Sequence, residues 1–305
     1  MKLEKWIKQN YSELNGKVIV VTGTTNGLGK NLLEHLAALN AEVVCGVRNP
    51  EKSNSAITQL QKKYNTFKAT SIALDLQNVD SIKLFAKQVS QLYPDGVYAL
   101  VLNAGIFAQN KEFLLSGFEK HFFVNTLSPC LLAKLFLPLL NKTINSKLVF
   151  VSSISFKSAK VNLLNCDKSN EKDSIKIYAN SKRWLTFYAL KLKENLKDFY
   201  PNVCVNICHP GISATTLMSP SRGRFNKFTS SVLTGGMKLI FPSSKKACLS
   251  ELFALTHQTN LNSWIGPKLF NVYGKPKIQK LKIKFKENNI CDKCYAQINK
   301  IIDNL

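Results

Sequence analysis

A short β-branched run, Lys17-Val18-Ile19-Val20-Val21, passes directly into Thr22-Gly23-Thr24-Thr25-Asn26-Gly27-Leu28-Gly29, after which Leu32, Leu36 and Leu39 recur at near-helical spacing. The order reads strand, glycine turn, helix. Glycines let a backbone come close to a pyrophosphate, and the helix that follows aims its free N–H groups at the negative charge. A tight packing turn could use the same glycines. Their place between an apolar strand and an amphipathic helix, near the start of the chain, favours a dinucleotide site.

The same alternation continues, and each further strand ends in a candidate contact. Glu42 to Val47 reads as a second strand that ends without a carboxylate and runs into Arg48. An acidic residue there would accept from ribose hydroxyls, whereas an arginine suits a 2′-phosphate, so NADP(H) is expected over NAD(H). A solvent-facing loop arginine is the plainer reading. Thr70 to Leu74 ends at Asp75, and Tyr98 to Leu102 breaks at Asn103-Ala104-Gly105, a turn small enough for backbone to lie against a ligand. Asn125 follows in a helical segment among apolar residues, where a bend or a satisfied core amide would equally explain it. Lys147 to Val151 ends at Ser152-Ser153, and Val203 to Cys208 ends in His209-Pro210-Gly211, with Thr215 beyond. Ligands of open parallel sheets bind at the carboxyl ends of strands, where all these turns fall. The expected fold is α/β: a Rossmann-type doubly wound parallel sheet with helices on both faces, in one domain.

Between the fifth and sixth strands lies Tyr178-Ala179-Asn180-Ser181-Lys182. Tyrosine and lysine four apart share one helix face, and an ammonium near a phenol favours the phenolate, bringing the hydroxyl toward proton exchange near neutrality. The helix is expected to begin at Tyr178, with Trp184, Phe187, Tyr188, Leu192 and Leu196 facing the sheet.

Taken in order, these motifs resemble a short-chain dehydrogenase/reductase over roughly residues 15 to 275. The long spacing from Ser153 to Tyr178, Arg48 and the His-Pro-Gly turn look most like the retinol dehydrogenase and protochlorophyllide reductase branch. The resemblance implies Tyr178 as general acid/base, Lys182 as the group that lowers its pKa and holds the nicotinamide ribose, Ser153 as the carbonyl-binding hydroxyl and Asn125 as support for a proton relay. It implies cofactor contacts from Gly23, Thr25, Asn26, Gly27, Leu28, Gly29, Arg48, Asp75, Leu76, Asn103, Ala104, Gly105, Tyr178, Lys182, Pro210, Gly211 and Thr215. Ser128 and Pro129 stand where the branch usually has glycine and histidine. The implied reaction is NADP-dependent interconversion of a carbonyl and an alcohol on a small hydrophobic substrate. A catalytically idle NADP(H)-binding sensor or interaction protein is the alternative.

Other segments bear on partners. The 305 residues carry 42 Lys+Arg against 19 Asp+Glu, a net charge of +23 that attracts anions without a dedicated site. No nucleic-acid module accompanies the charge, so specific nucleic-acid binding is not expected. The eight cysteines sit mostly in apolar segments, as free thiols do in a reducing compartment, and Cys291-x-x-Cys294 lacks the second pair that zinc would need, so no metal is expected. Met1 to Asn15 lacks a signal-peptide core, and Leu131 to Leu140 is too short to span a bilayer; a cytoplasmic location is expected. Residues 1 to 14 read as a lead-in helix, 15 to 275 as the catalytic domain and 276 to 305 as a basic extension. Within the domain, 217 to 242 read as a substrate lid, with Arg222 and Arg224 placed to meet an anionic group. Lys280 to Lys286 alternates lysine with Leu281, Ile283 and Phe285, either as an edge strand guarded by charge or as a weak contact with an anionic membrane surface. A homodimer and a monomer both remain open, since the helices of Asn125 and Tyr178 pair subunits in many relatives.

Overall fold

A computed structural model describes residues 2–107, 110–167, 170–211, 243–269, 273–281 and 285–305. Strands β1 (Val18–Thr22), β2 (Glu42–Val47), β3 (Lys68–Ala73), β4 (Ala99–Leu102), β5 (Ser146–Val151), β6 (Val203–Cys208), β7 (Ser263–Leu269) and β8 (Tyr273–Lys280) form one sheet in the order 3-2-1-4-5-6-7-8. Every neighbouring pair is parallel except the last, β7 with β8. β1, β4 and β5 are short, almost wholly buried and rich in Val, Leu and Ile, as a sheet covered on both faces requires.

One face is covered by α1 (Lys2–Asn10), α2 (Gly27–Ala38), α3 (Pro50–Lys63) and α7 (Leu249–Thr256), which share a core with Ile19, Val21, Val43 and Val149. The other is covered by α4 (Val79–Leu92), α5 (Lys120–Asn141), α6 (Ser174–Asn195) and α8 (Phe285–Asp303), packed on Val20, Leu100 and Leu148. Alternate residues of one strand thus serve opposite layers. The strand order reverses between β1 and β4, which opens a crevice at their carboxyl ends.

α5 is long and apolar enough to cross a membrane, yet most of it is buried inside the protein. It is also not a uniform helix. Phe123–Leu127 forms a π turn, because Pro129 has no N–H to offer the Asn125 carbonyl and its ring would crowd that oxygen.

Two expectations need correction. α6 begins at Ser174, one turn before Tyr178, because the Asp173 carboxylate caps it by accepting from the Ile175 N–H at 2.9 Å. The edge strand is Tyr273–Lys280 and does not run on to Lys286: Leu281 is buried, its N–H bonding the Asn262 carbonyl at 2.9 Å, and Phe285 already belongs to α8. The boundary at residue 276 therefore falls inside a strand, and the C-terminal residues complete the domain. Cys294, Ile298 and Ile302 of α8 are buried in the layer beneath α5 and α6, and Tyr295 stacks on Tyr188 at 5.1 Å.

Candidate active site

At the crevice the chain ends of β1 and β4 are stitched together. Asn103 Nδ2 donates to the carbonyls of Thr22 at 2.7 Å and Gly23 at 3.2 Å, while the Ala104 N–H donates to Thr22 Oγ1 at 3.0 Å. The space beside this junction admits no side chain. A Cβ on Gly29 would lie 2.2 Å from the Gly23 oxygen and 2.6 Å from Asn103 Nδ2, and Gly23 itself has φ +75°.

A cavity of about 1040 Å³ opens here, lined by Gly23, Thr25 to Gly29, Arg48, Asp75, Leu76, Asn103 to Gly105, Ser153, Tyr178, Lys182, Pro210 and Gly211. Thr215 and the segment 217–242, with Arg222 and Arg224, lie outside the described residues. Each of the other expected residues reaches the cavity except Asn125, which is fully buried behind it. Asp75 turns its Oδ1 to the Gln77 N–H at 3.0 Å, which fixes the loop after β3.

The strand end after β5 separates two adjacent serines. Ser152 Oγ pairs with Thr186 Oγ1 at 2.6 Å in the interior, whereas Ser153 faces the cavity. Ser153 Oγ accepts from Ser155 Oγ at 2.9 Å and lines the same cavity as Tyr178. Burial pushes the Tyr178 phenol above its usual pKa, and the neighbouring Ser153 hydroxyl opposes that shift. This differs from the sequence expectation of a phenol made acidic by Lys182. The Lys182 ammonium donates instead to the Val151 carbonyl at 2.8 Å, and its own burial brings it down to about 8.

Asn125 holds two backbones at once. Its Oδ1 accepts from the Ile106 N–H at 2.8 Å, and its Nδ2 donates to the Ile106 carbonyl at 2.9 Å and to Ser181 Oγ at 3.1 Å. Gly105 sits against this amide, where a Cβ would come 2.9 Å from Asn125 Oδ1.

Sequence reasoning missed several lining residues: Lys52, Gln77, Phe107, Lys120 and Ile175. Lys52 had a signal. Asn49 caps α3 by accepting from the Lys52 N–H at 2.9 Å, so the first helical turn after β2 sets a second cation beside Arg48 at the cavity wall. Phe107 carried none, standing in an aperiodic loop.

These residues fit a dinucleotide: the glycine cradle leaves room for pyrophosphate at the N-terminus of α2, cations stand past β2, and hydroxyls gather at the other end.

The family model for short chain dehydrogenases matches residues 17–224. Retinol dehydrogenase 14 of Mus musculus is 31% identical over 216 residues, which cover 67% of this chain and 63% of that protein. Polyprenol dehydrogenase of Danio rerio is 31% identical over 209 residues, 67% of this chain and 64% of that protein. The match thus spans a little under two thirds of either relative. Among solved structures, an uncharacterized protein from Mycobacterium paratuberculosis superposes with a TM-score of 0.73 at 23% identity, covering 97% of this chain and 96% of that one. A short chain dehydrogenase from Burkholderia cenocepacia in complex with NADP gives a TM-score of 0.61 at 20% identity, with 81% and 93% covered.

Proposed function

The chain belongs to the short-chain dehydrogenase family, and from that membership and the cavity's chemistry we propose that it interconverts a carbonyl and an alcohol on an apolar substrate, with NADP(H) preferred over NAD(H). One observation carries the reading: a glycine-walled cleft and the Ser153 and Tyr178 hydroxyl side chains share one cavity at the carboxyl edge of the sheet. When bound, the nicotinamide supplies or removes hydride at the substrate carbon.

The chain's own residues handle the proton. During reduction the carbonyl oxygen gains negative charge, so donors must already point at it. Ser153 Oγ binds that oxygen and Tyr178 Oη delivers the proton. A phenol raised in pKa by burial holds its proton through neutral pH and surrenders it only to a strong developing base such as an alkoxide. Lys182, fixed on the Val151 carbonyl, brings positive charge to the ribose end of the site. Asn125 keeps the loop after β4 at its depth by clamping Ile106.

Arg48 and Lys52, exposed at the cavity wall after β2, support the 2′-phosphate preference. The substrate end supports an apolar ligand, since Phe107, Val124, Ile154 and Ile175 line it. Retinol and polyprenol, named for two of the relatives, are both apolar alcohols.

The test is a fluorescence titration with NADPH and NADH followed by turnover of apolar aldehydes and ketones. The expected result is tighter NADPH binding and turnover that falls by about 10² to 10⁴ in Tyr178→Phe with binding retained. Binding without turnover of any carbonyl would replace this reading with that of an NADP(H)-binding sensor.

A further inference from the structure

We propose that His209 is a positioning residue for the cofactor: seated over Gly266 in β7 and stacked on Trp264, it holds the turn at Gly211 in place at the nicotinamide end of the cleft. The proposal rests on the NADP(H) reading above and adds to it a residue that acts only through the backbone it fixes.

The chain leaving β6 has few groups with which to hold itself. The His209 N–H donates to the Ile265 carbonyl at 2.9 Å, carrying the pairing with β7 one residue past the strand. Pro210 has no N–H to offer. Gly211 then turns in the left-handed region, with φ +79°, and its N–H donates to His209 Nδ1 at 3.2 Å. The side chain thus bonds backbone two residues on, as an asparagine does in an Asx turn. Acceptance at Nδ1 puts the proton of the neutral ring on Nε2. Pro210 and Gly211 both line the cavity.

The imidazole is aimed by β7. Trp264 and Gly266 stand two apart on that strand and share a face. The His209 ring stacks on the Trp264 indole, with centroids 4.0 Å apart and planes at 30°. It also fills the space over Gly266, where a Cβ would lie 1.9 Å from Nε2, 2.6 Å from Cδ2 and 2.7 Å from Cε1. Glycine alone leaves that seat open. His209 is fully buried, so the seat and the stack together set the direction in which Nδ1 faces. Trp264 is braced in turn by Phe156, edge to face at 5.4 Å, and Phe156 belongs to the 3-10 turn Ile154–Ser158 that follows Ser153. One indole therefore supports both the turn at Gly211 and the segment leaving Ser153.

The topology says which part of the cofactor feels this support. β6 lies beside β5, on the opposite side of the crevice from β2. Arg48 and Lys52, after β2, stand at the adenosine end, whereas Gly211 shares the end that holds Ser153 and Tyr178. A slack turn at Gly211 loosens the nicotinamide half and leaves the adenosine half as it was.

The experiment measures, by calorimetry, the binding of NADPH and of its adenosine half, adenosine 2′,5′-bisphosphate, to the wild type, His209→Phe, His209→Asn and His209→Ala. His209→Phe keeps a ring in the seat and loses the acceptor; His209→Asn loses the stack and keeps an acceptor for the Gly211 N–H. His209→Phe and His209→Ala should weaken NADPH binding by about two- to tenfold, the worth of one neutral hydrogen bond. His209→Asn should recover most of that loss, and affinity for the bisphosphate should stay at the wild-type value in all three. Gly266→Ala should weaken NADPH binding as His209→Ala does, yet add nothing once His209 is alanine, because the atoms it would strike are gone. Equal weakening of both ligands, or wild-type NADPH affinity in His209→Phe, would overturn the proposal and leave the reductase reading standing. A wild type that binds neither ligand overturns both.

Discussion

The Lys182 ammonium is tied to the carbonyl of Val151 at 2.8 Å, across the end of β5, and not to the phenol one helical turn away. The titration of Tyr178 is accordingly governed by burial and by Ser153. Burial holds the phenol protonated at neutral pH, which suits reduction. Oxidation of an alcohol needs the phenolate as base. Alcohol oxidation should therefore climb steadily on the alkaline side, while carbonyl reduction stays level through neutrality and declines at high pH. Initial rates in both directions between pH 6 and about 10 check this, and an oxidation rate already maximal at neutral pH would contradict it.

Arg48, just past β2, and Lys52, in the first turn of α3, line the same wall. Each charge-assisted hydrogen bond to a phosphate is worth about 1.5 to 3 kcal/mol. Replacing either with alanine should weaken NADPH binding by about tenfold and leave NADH binding nearly unchanged. The double variant should lose most of the discrimination. Because both side chains are exposed, the NADPH preference should also shrink as salt is raised.

Gly29 shows what the cradle tolerates. A methyl group there would sit 2.2 Å from the Gly23 oxygen, a backbone atom that moves only with the strand end. Gly29→Ala should destabilise the fold by about 1 to 3 kcal/mol, the usual cost of forcing atoms into a packed site. It should also abolish cofactor binding. Thermal melting with and without NADPH separates the two effects: the variant should melt lower and gain nothing from the ligand.

Glu251, in α7, is buried completely, and among the described residues neither carboxylate oxygen has a hydrogen-bond partner. Burial raises its pKa to about 8, against a smaller opposing pull from Lys182. A carboxyl group that holds its proton more tightly folded than unfolded stabilises the fold at acid pH, and that contribution drains away as pH rises from about 4.5 to 8. Glu251→Gln removes the dependence. The wild type should lose roughly 5 °C in Tm relative to Glu251→Gln between pH 5 and pH 8.5. Parallel melting curves over that range would show that Glu251 is not the titrating group.

What could be read from the sequence depended on periodicity. Apolar runs ending in glycine or small residues marked β1, β4 and β5, and through them the crevice lined by Gly23, Asn103 and Ser153. Phe107 escaped because a loop side chain has no repeat to betray it. The phenol's pKa was misread for a different reason: spacing along a helix puts Lys182 near Tyr178, but only the fold decides how deeply both are buried and where the ammonium finds its acceptor. Ser128-Pro129, noticed as a departure from the branch, is the local cause of the π turn that carries Asn125. The lysine alternation after Lys280 misled because a strand-like period of a few residues weighs little against the helical spacing of Cys291, Cys294, Ile298 and Ile302.

The packing of α8 over α5 and α6 has a consequence for biosynthesis. Every residue of the proposed site that the structure describes lies before position 212, so the ribosome releases the whole site before it makes the strand β8 and the helix that closes one face of the core. Until Cys294, Ile298 and Ile302 emerge, Tyr188 and its apolar neighbours on α6 await the layer that will cover them. The nascent chain thus carries every described residue of the site on an unfinished body, and it is during that interval that a chaperone would have a face to hold.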